Sequence, residues 1–158
     1  MVRHLFVSSI ALVLTASGVF AGALVPKKAS ETVILSSSPL SGPCSVEQIN
    51  TQIIADGTEA DFGIETGKVL MVTDITWMVE NADAGDTVGI ELSVAGADVS
   101  AMVVDGEANA RGVARGQTHF NTPVMIRGVI CANPVVMDGT TIPQLHDIRV
   151  MGFVAGDR

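Results

Sequence analysis

The sequence predicts an all-β, antiparallel domain of the β-sandwich or jelly-roll type behind a cleavable signal peptide. Short runs of β-branched and other apolar residues alternate with polar ones, and turn-forming residues recur every 8–12 positions or so. No stretch keeps the 3.6-residue period of an amphipathic helix. These observations predict about eight to ten short strands, packed as one domain over residues 32–158.

Residues 1–23 contain the three regions of a signal peptide in the order that export requires. Arg3 and His4 precede an apolar stretch that runs to Phe20, and a small-x-small cleavage motif ends at Ala23. We expect cleavage there, with cleavage after Ala21 as the alternative, and a secreted, periplasmic or cell-surface location. The stretch is short for a membrane anchor, and no later run could span a bilayer, so we expect no transmembrane span after signal removal.

The chain is acidic, with a formal net charge of −8. All 17 acidic residues follow the signal peptide, while Arg3 is lost with it. Such a surface repels phosphate backbones and anionic lipids, so nucleic acid is excluded as a partner class.

Cys44 and Cys131 are the two cysteines of the chain. An even number of cysteines in an exported protein predicts one disulfide, which would tie an N-terminal segment to a late strand. Two buried free thiols or a metal pair are the alternatives, although two cysteines without a nearby histidine make a poor zinc site.

The first strands come after a flexible leader predicted at 24–31. A β-branched run predicts a strand at 32–35, and the Ser-, Pro- and Gly-rich segment 36–43 predicts a loop. Segment 45–49 resembles the start of a helical turn, but 49–54 fits a strand better. Asp56-Gly57 is a turn signal.

The clearest strand covers residues 69–79, where the odd positions are predicted to face the core. A turn at 81–86 separates it from a second alternating strand at 88–94. The predicted core residues of these two strands are Val69, Met71, Ile75, Trp77, Val79, Val88, Ile90, Leu92 and Val94.

The second half of the chain contains weaker strand signals. Further strands are expected at 99–104, 124–131, 135–137, 140–142 and 148–155. The segment 105–117 is rich in Gly, Ala and Arg and predicts a long loop or a weak edge strand. Asp138-Gly139 is the strongest hairpin signal in the chain.

Calcium is the metal that the acidic turns best fit, because it prefers clustered oxygen ligands. Asn81, Asp83 and Asp86 crowd one turn and form the candidate site. Acidic residues also crowd 56–61 and 105–109, but the latter lacks the Glu and Gly positions of an EF-hand loop. The alternative is that Asp and Asn are present only because they form turns.

No residue pattern indicates a catalytic centre. His119 and His146, the two histidines after the signal peptide, have no histidine at metal-ligand spacing, and no Gly-x-Ser-x-Gly motif is present. Carbohydrate binding would draw on exposed aromatic rings, and the chain has no Tyr.

The expected function is therefore that of an exported, non-enzymatic module acting by protein–protein contact in an envelope or extracellular assembly. The reason is that segments 69–79, 124–131 and 148–155 carry apolar residues on both faces, whereas a sandwich buries only one face of each sheet. The second face therefore needs cover, either from loops of the same chain or from another subunit, as in a homo-oligomer. A secreted domain binding carbohydrate or calcium is the alternative, and a hydrolase is the third reading.

Overall fold

A computed structural model describes residues 32–39, 44, 47–95, 100–137 and 141–157. Every regular element in this part of the chain is a β-strand, and every strand pairing is antiparallel. The strands are β1 (Thr32–Pro39), β2 (Glu47–Ile53), β3 (Glu59–Asp61), β4 (Lys68–Glu80), β5 (Thr87–Val94), β6 (Ser100–Glu107), β7 (Ala114–Ile126), β8 (Ile130–Val136) and β9 (Gln144–Gly156). The predicted all-β antiparallel class is confirmed.

The strand order is that of a jelly roll. Leaving β3 aside, the first strand pairs with the last, β2 with β8, β4 with β7, and β5 with β6. This nested pairing gives two four-stranded halves, β6-β5-β8-β2 and β1-β9-β4-β7. The β1–β2 ladder joins the two halves, so hydrogen bonds connect the whole sheet in one path.

The two halves differ in length. In the half β1-β9-β4-β7, here called the long half, three strands have 13 residues each. In the half β6-β5-β8-β2, the short half, strands have 7 or 8 residues. β3 extends the short half by pairing with the last residues of β2.

The main core lies between the two halves and contains residues from both, including Leu35, Ile75, Ile90 and Ile148. All of the predicted core residues are buried except Val94, which is half-buried against the core. Val69 and Met71 are buried in a different cluster, on the opposite side of β4.

Two predicted segments have different boundaries in the structure. The expected strand at 124–131 is split: β7 ends at Ile126, and β8 begins at Ile130. Gly128 turns the chain between them with a φ of 96°, a value that suits glycine. The segment 105–117, expected as a long loop or a weak edge strand, contains the end of β6 at Glu107 and the start of β7 at Ala114, which are the two edge strands, with residues 108–113 between them.

The observed boundaries of other elements also differ from those predicted. β1 continues to Pro39 through the first half of the segment 36–43 predicted as loop, and β9 begins at Gln144, before the predicted 148. Residues 141–143 belong to no strand, so the predicted strand at 140–142 is wrong in its described part. The expected signal peptide, the leader and the Asp138-Gly139 turn lie outside the described residues.

The structure contains the Cys44–Cys131 disulfide, with the two Cα atoms 5.3 Å apart. Cys131 is buried on β8 and pairs with Gln48 of β2, so the bond anchors the β1–β2 connection to the short half. Within the described residues, no helix has the length and apolar character needed to cross a membrane.

Candidate interaction surface

A β-bulge in β4 reverses the faces of the strand. Val72 and Asp74 pair with consecutive residues of β9, so Thr73 is an extra residue against that strand. The register against β7 shifts at the same place, where residues 120–123 of β7 lie opposite Thr73. Its hydroxyl donates a hydrogen bond to the carbonyl oxygen of Met151 over 3.3 Å. After the bulge the odd positions face the core, whereas before it Leu70 and Val72 do, and the odd positions point outward.

This reversal creates an apolar cluster on the outer face of the long half. Val69, Met71 and Phe153 form a buried cluster with Ala155 packed against it. The pairing of neighbouring strands places four further apolar residues on the same face. Met125 lies opposite Met71, Met151 lies opposite Ile34, and Ile34 lies opposite Ile53. We call these eight residues the outer patch, which lies on the long half except for Ile53 on the adjoining β2: Ile34, Ile53, Val69, Met71, Met125, Met151, Phe153 and Ala155.

The outer patch has a buried centre and an exposed rim. Val69, Met71 and Phe153 are only 2%, 3% and 5% exposed, while Met125 is 50% and Ile34 39% exposed. Methionine is unbranched and polarisable, so it adapts its shape to an opposing surface. Three methionines on a solvent-side sheet face make a surface that suits contact with another protein.

An ion pair closes the patch at the C-terminal end of β9. The Arg127 guanidinium donates to both carboxylate oxygens of Asp157, over 2.6 and 2.7 Å. Arg127 follows β7 and Asp157 follows β9, so the pair joins the two strands that flank β4. The guanidinium holds the pKa of the Asp157 carboxyl below its ordinary value, through hydrogen bonding first and charge second.

Polar side chains occupy the rest of the same face. Next to the bulge, the imidazole Nδ1 of His119 lies 2.7 Å from Asp74 Oδ1. Hydrogen bonds from His119 and, secondarily, from Thr73 lower the pKa of the Asp74 carboxyl. Further along β4, Met78 lies between Arg115 of β7 and Asp147 of β9.

Charge is divided unequally between the two halves. The strands of the short half, with β3, contain six acidic residues and no Lys or Arg. The strands of the long half contain three acidic residues and three of Lys or Arg. The long half is therefore neutral in a chain whose formal net charge is −8.

The calcium candidates lie in the β4–β5 connection, where their side chains stabilise the turn. An Asp86 carboxylate oxygen accepts the Asp83 backbone N–H over 3.2 Å, and Asp83 accepts the hydroxyl of Thr141 over 2.6 Å. The Asn81 amide donates to Gln144 over 3.4 Å, and its φ of 64° is one that asparagine tolerates. The structure thus shows the turn-forming role of these residues, and calcium binding stays a prediction.

No group of three or more His, Cys, Asp or Glu side chains in the described ranges could hold a metal ion. His119 and His146 are both exposed on the long half, and each lies beside a carboxylate of β4. His146 Nδ1 is 3.7 Å from Glu80 Oε2, a loose contact compared with the pair that His119 makes with Asp74.

The described aromatic side chains are buried or half-buried. Trp77 and Phe153 are buried, and Phe62 and Phe120 pack partly against the core. Phe62 also lines a shallow cavity of about 40 Å³ beside Gln48 and Val129, which has room for a few water molecules.

The sequence predicted part of this surface. Apolar residues on both faces of β4 and β9 were visible in the pattern, but Met125, Ile34 and Ile53 were not recognised as their neighbours. One signal for the bulge was also present, because apolar residues occupy both parities over 69–72 and mainly the odd positions after Thr73.

No protein-family model matches the chain, and the searches of curated proteins and of solved structures returned no match.

Proposed function

We propose that this protein is an exported module that acts by protein–protein contact, and that the outer face of its long half is the contact surface. The observation that carries the proposal is the outer patch, an apolar cluster on the side of the sheet that faces away from the main core.

Contact between apolar surfaces stabilises a complex by a free energy of about 25 cal/mol for each Å² that is removed from water. The rim residues Met125 and Ile34 still expose apolar surface to water, whereas the centre that they surround is already buried within the single chain. A partner seated here would bury the rim without having to desolvate a lysine or an unpaired carboxylate within the patch. An envelope or extracellular assembly is the setting that the predicted signal peptide and the disulfide support.

The test compares two methionines of equal exposure. Met125 is 50% exposed within the outer patch, and Met137 is 52% exposed outside it. The full chain is produced in cells that export it, and the size of the species containing it is measured by native size-exclusion chromatography for the wild type, Met125→Glu and Met137→Glu.

We expect the wild type and Met137→Glu to elute in a species larger than one chain, and Met125→Glu to elute as a single chain. A charge at position 125 would have to be desolvated at the interface, which disfavours binding. A wild type that elutes as one chain contradicts the proposal, and so does an equal shift for both variants.

A further inference from the structure

We propose that the partner is a second copy of this chain, docked face to face through the outer face of the long half, with a two-fold axis along β4. This inference rests on the proposed function, because it names the occupant of the same surface. Three properties of the face support it: its size, its charge and its self-complementarity.

The face has the area that a stable dimer needs. Strands of 13 residues span about 43 Å, and four strands side by side span about 19 Å. With an axis along β4, the three strands β9, β4 and β7 find a counterpart, so each copy contributes about 600 Å², at the lower limit of a specific interface. The strands of the short half, at 7 or 8 residues, provide a much smaller surface.

Charge favours this face over the other for self-association. Two copies that met through their short halves would oppose five strand carboxylates on each side with no Lys or Arg between them, since only Glu47 lies on the core-facing side of its strand. The long half is neutral, so two acidic molecules can approach through it without that repulsion.

The face also complements itself. A two-fold axis along β4 places each row of residues opposite the same row of the second copy, with β7 and β9 exchanged. The residues of the outer patch on β4, β7 and β9 then meet the same residues of the second copy. Met125 lies opposite Phe153 of the partner subunit, with Met71 near the axis. In the polar region, Arg115 lies opposite Asp147 of the partner subunit, with Met78 near the axis.

A two-fold axis across the strands would be less favourable. If it passed through the outer patch, the apolar residues of the two copies would still meet, but the polar part of each face would extend past the end of the other copy and stay in water. The buried area would fall to about half, below that of a specific interface. The axis along β4 uses β9, β4 and β7 over their full length and leaves only β1 without a counterpart.

The experiment measures the solution mass of the purified, oxidised full chain by light scattering from micromolar to millimolar concentration. We expect a dimer, and a dissociation constant that rises about tenfold or more in Met125→Glu and stays unchanged in Met137→Glu. A thermal melt of each variant establishes that it folds.

A charge exchange tests the axis. Arg115→Asp and Asp147→Arg should each weaken the dimer, because each places like charges opposite one another. The double variant should restore it, since the exchanged charges then face each other across the axis. A double variant no better than the two single variants overturns the proposed pairing.

The two proposals fail differently. A purified chain that is monomeric at every concentration, while the exporting cells contain a larger species sensitive to Met125→Glu, overturns the second-copy inference and leaves the contact function standing. A chain that is monomeric both when purified and in the cells overturns both.

Discussion

Trp77 and two glycines close the gap between the edge strands β6 and β7. A Cβ on Gly116 would lie 2.4 Å from the indole Nε1 of Trp77, and one on Gly106 would lie 3.2 Å from the ring and 2.8 Å from the carbonyl oxygen of Arg115. The indole is therefore packed directly on backbone of both edges. Its Nε1 is buried without a hydrogen-bond partner among the described residues.

Gly116→Ala should destabilise the protein by about 1–3 kcal/mol, the usual cost of forcing a methyl group into a well-packed core. Urea unfolding followed by fluorescence measures this, since Trp77 is the only tryptophan of the chain. Gly156→Ala is the matched control, because Gly156 also lies in a strand and a Cβ there would have no atom within 4 Å. Equal unfolding midpoints for the two variants would refute this packing.

The Arg127–Asp157 pair should make the protein more stable above pH 4 than below it. The folded-state pKa of Asp157 lies below the ordinary aspartate value of 3.8, so the unfolded chain binds its proton first as the pH falls. The pair's contribution is fully present above the unfolded pKa and is lost as the pH falls through the folded one.

Asp157→Asn should therefore lower the melting temperature at pH 6 and lose less of it than the wild type between pH 6 and pH 3. Both groups are exposed, so the difference should shrink in high salt. A variant whose melting temperature falls as much as that of the wild type over this range would show that the pair contributes nothing to acid sensitivity.

β4 shows how an element can be correctly located and still be given the wrong face. Alternation located the strand and its buried residues, and Ile75, Trp77 and Val79 face the main core as predicted. A period of two carries no information about an inserted residue, so one extra residue at Thr73 moved Val69 and Met71 to the other side. The apolar run 69–72, which offers two possible inward faces, was the available signal.

Deleting Thr73 should be far more damaging than changing its chemistry. Without the bulge, either Leu70 and Val72, which are fully buried, turn outward, or Ile75 and Trp77 do. Exposing two core side chains costs about 3–6 kcal/mol, enough to unfold a domain of ordinary stability.

Thr73→Ser is the control, because it keeps both the extra residue and the hydroxyl that bonds to Met151. Circular dichroism and thermal melts compare the two variants. A deletion variant that melts with wild-type cooperativity and temperature would mean that β4 does not need its bulge.

β7 was predicted only weakly, and its middle not at all, for a physical reason. Its core-facing side carries Ala114, Gly116 and Thr118 next to the bulky Trp77, so little apolar side chain is needed there. Its outer side is polar, with Arg115, Gln117 and His119. A strand with small residues on one side and polar ones on the other has the composition of a loop, and only its partner β4 reveals it.

The disulfide constrains the whole molecule, because its two cysteines are separated by 87 positions. Reduction should lower the free energy of unfolding by about 2–5 kcal/mol. Urea unfolding with and without reductant, followed by Trp77 fluorescence, measures the change. In a Cys44→Ala, Cys131→Ala variant the reductant should have no effect, and an unchanged midpoint in the wild type would contradict a stabilising role.

For the whole molecule, the sequence predicted the all-β fold class and the two cysteines of the disulfide. The order of the strands and the distribution of charge between the two halves needed the structure. Nested pairing brings strands from opposite ends of the chain together, such as β1 and β9, and alternation within a strand says nothing about its neighbours. The sequence showed that acidic residues crowd certain turns, but it did not show how they divide between the halves of the sheet. Only the pairing showed that the long half is neutral and holds the outer patch.

Methionine oxidation in the exporting cells tests the contact surface most directly, because it needs no substitution. Peroxide oxidises accessible methionines to the sulfoxide, and mass spectrometry gives the extent at each position. Met125 and Met137 have nearly equal exposures of 50% and 52% in the single chain, so a free molecule should oxidise both alike. We predict that Met125 is protected relative to Met137 in the cells and that dilution of the purified chain removes the protection. Equal oxidation of the two residues in the cells would contradict the assignment of the outer patch as a contact surface.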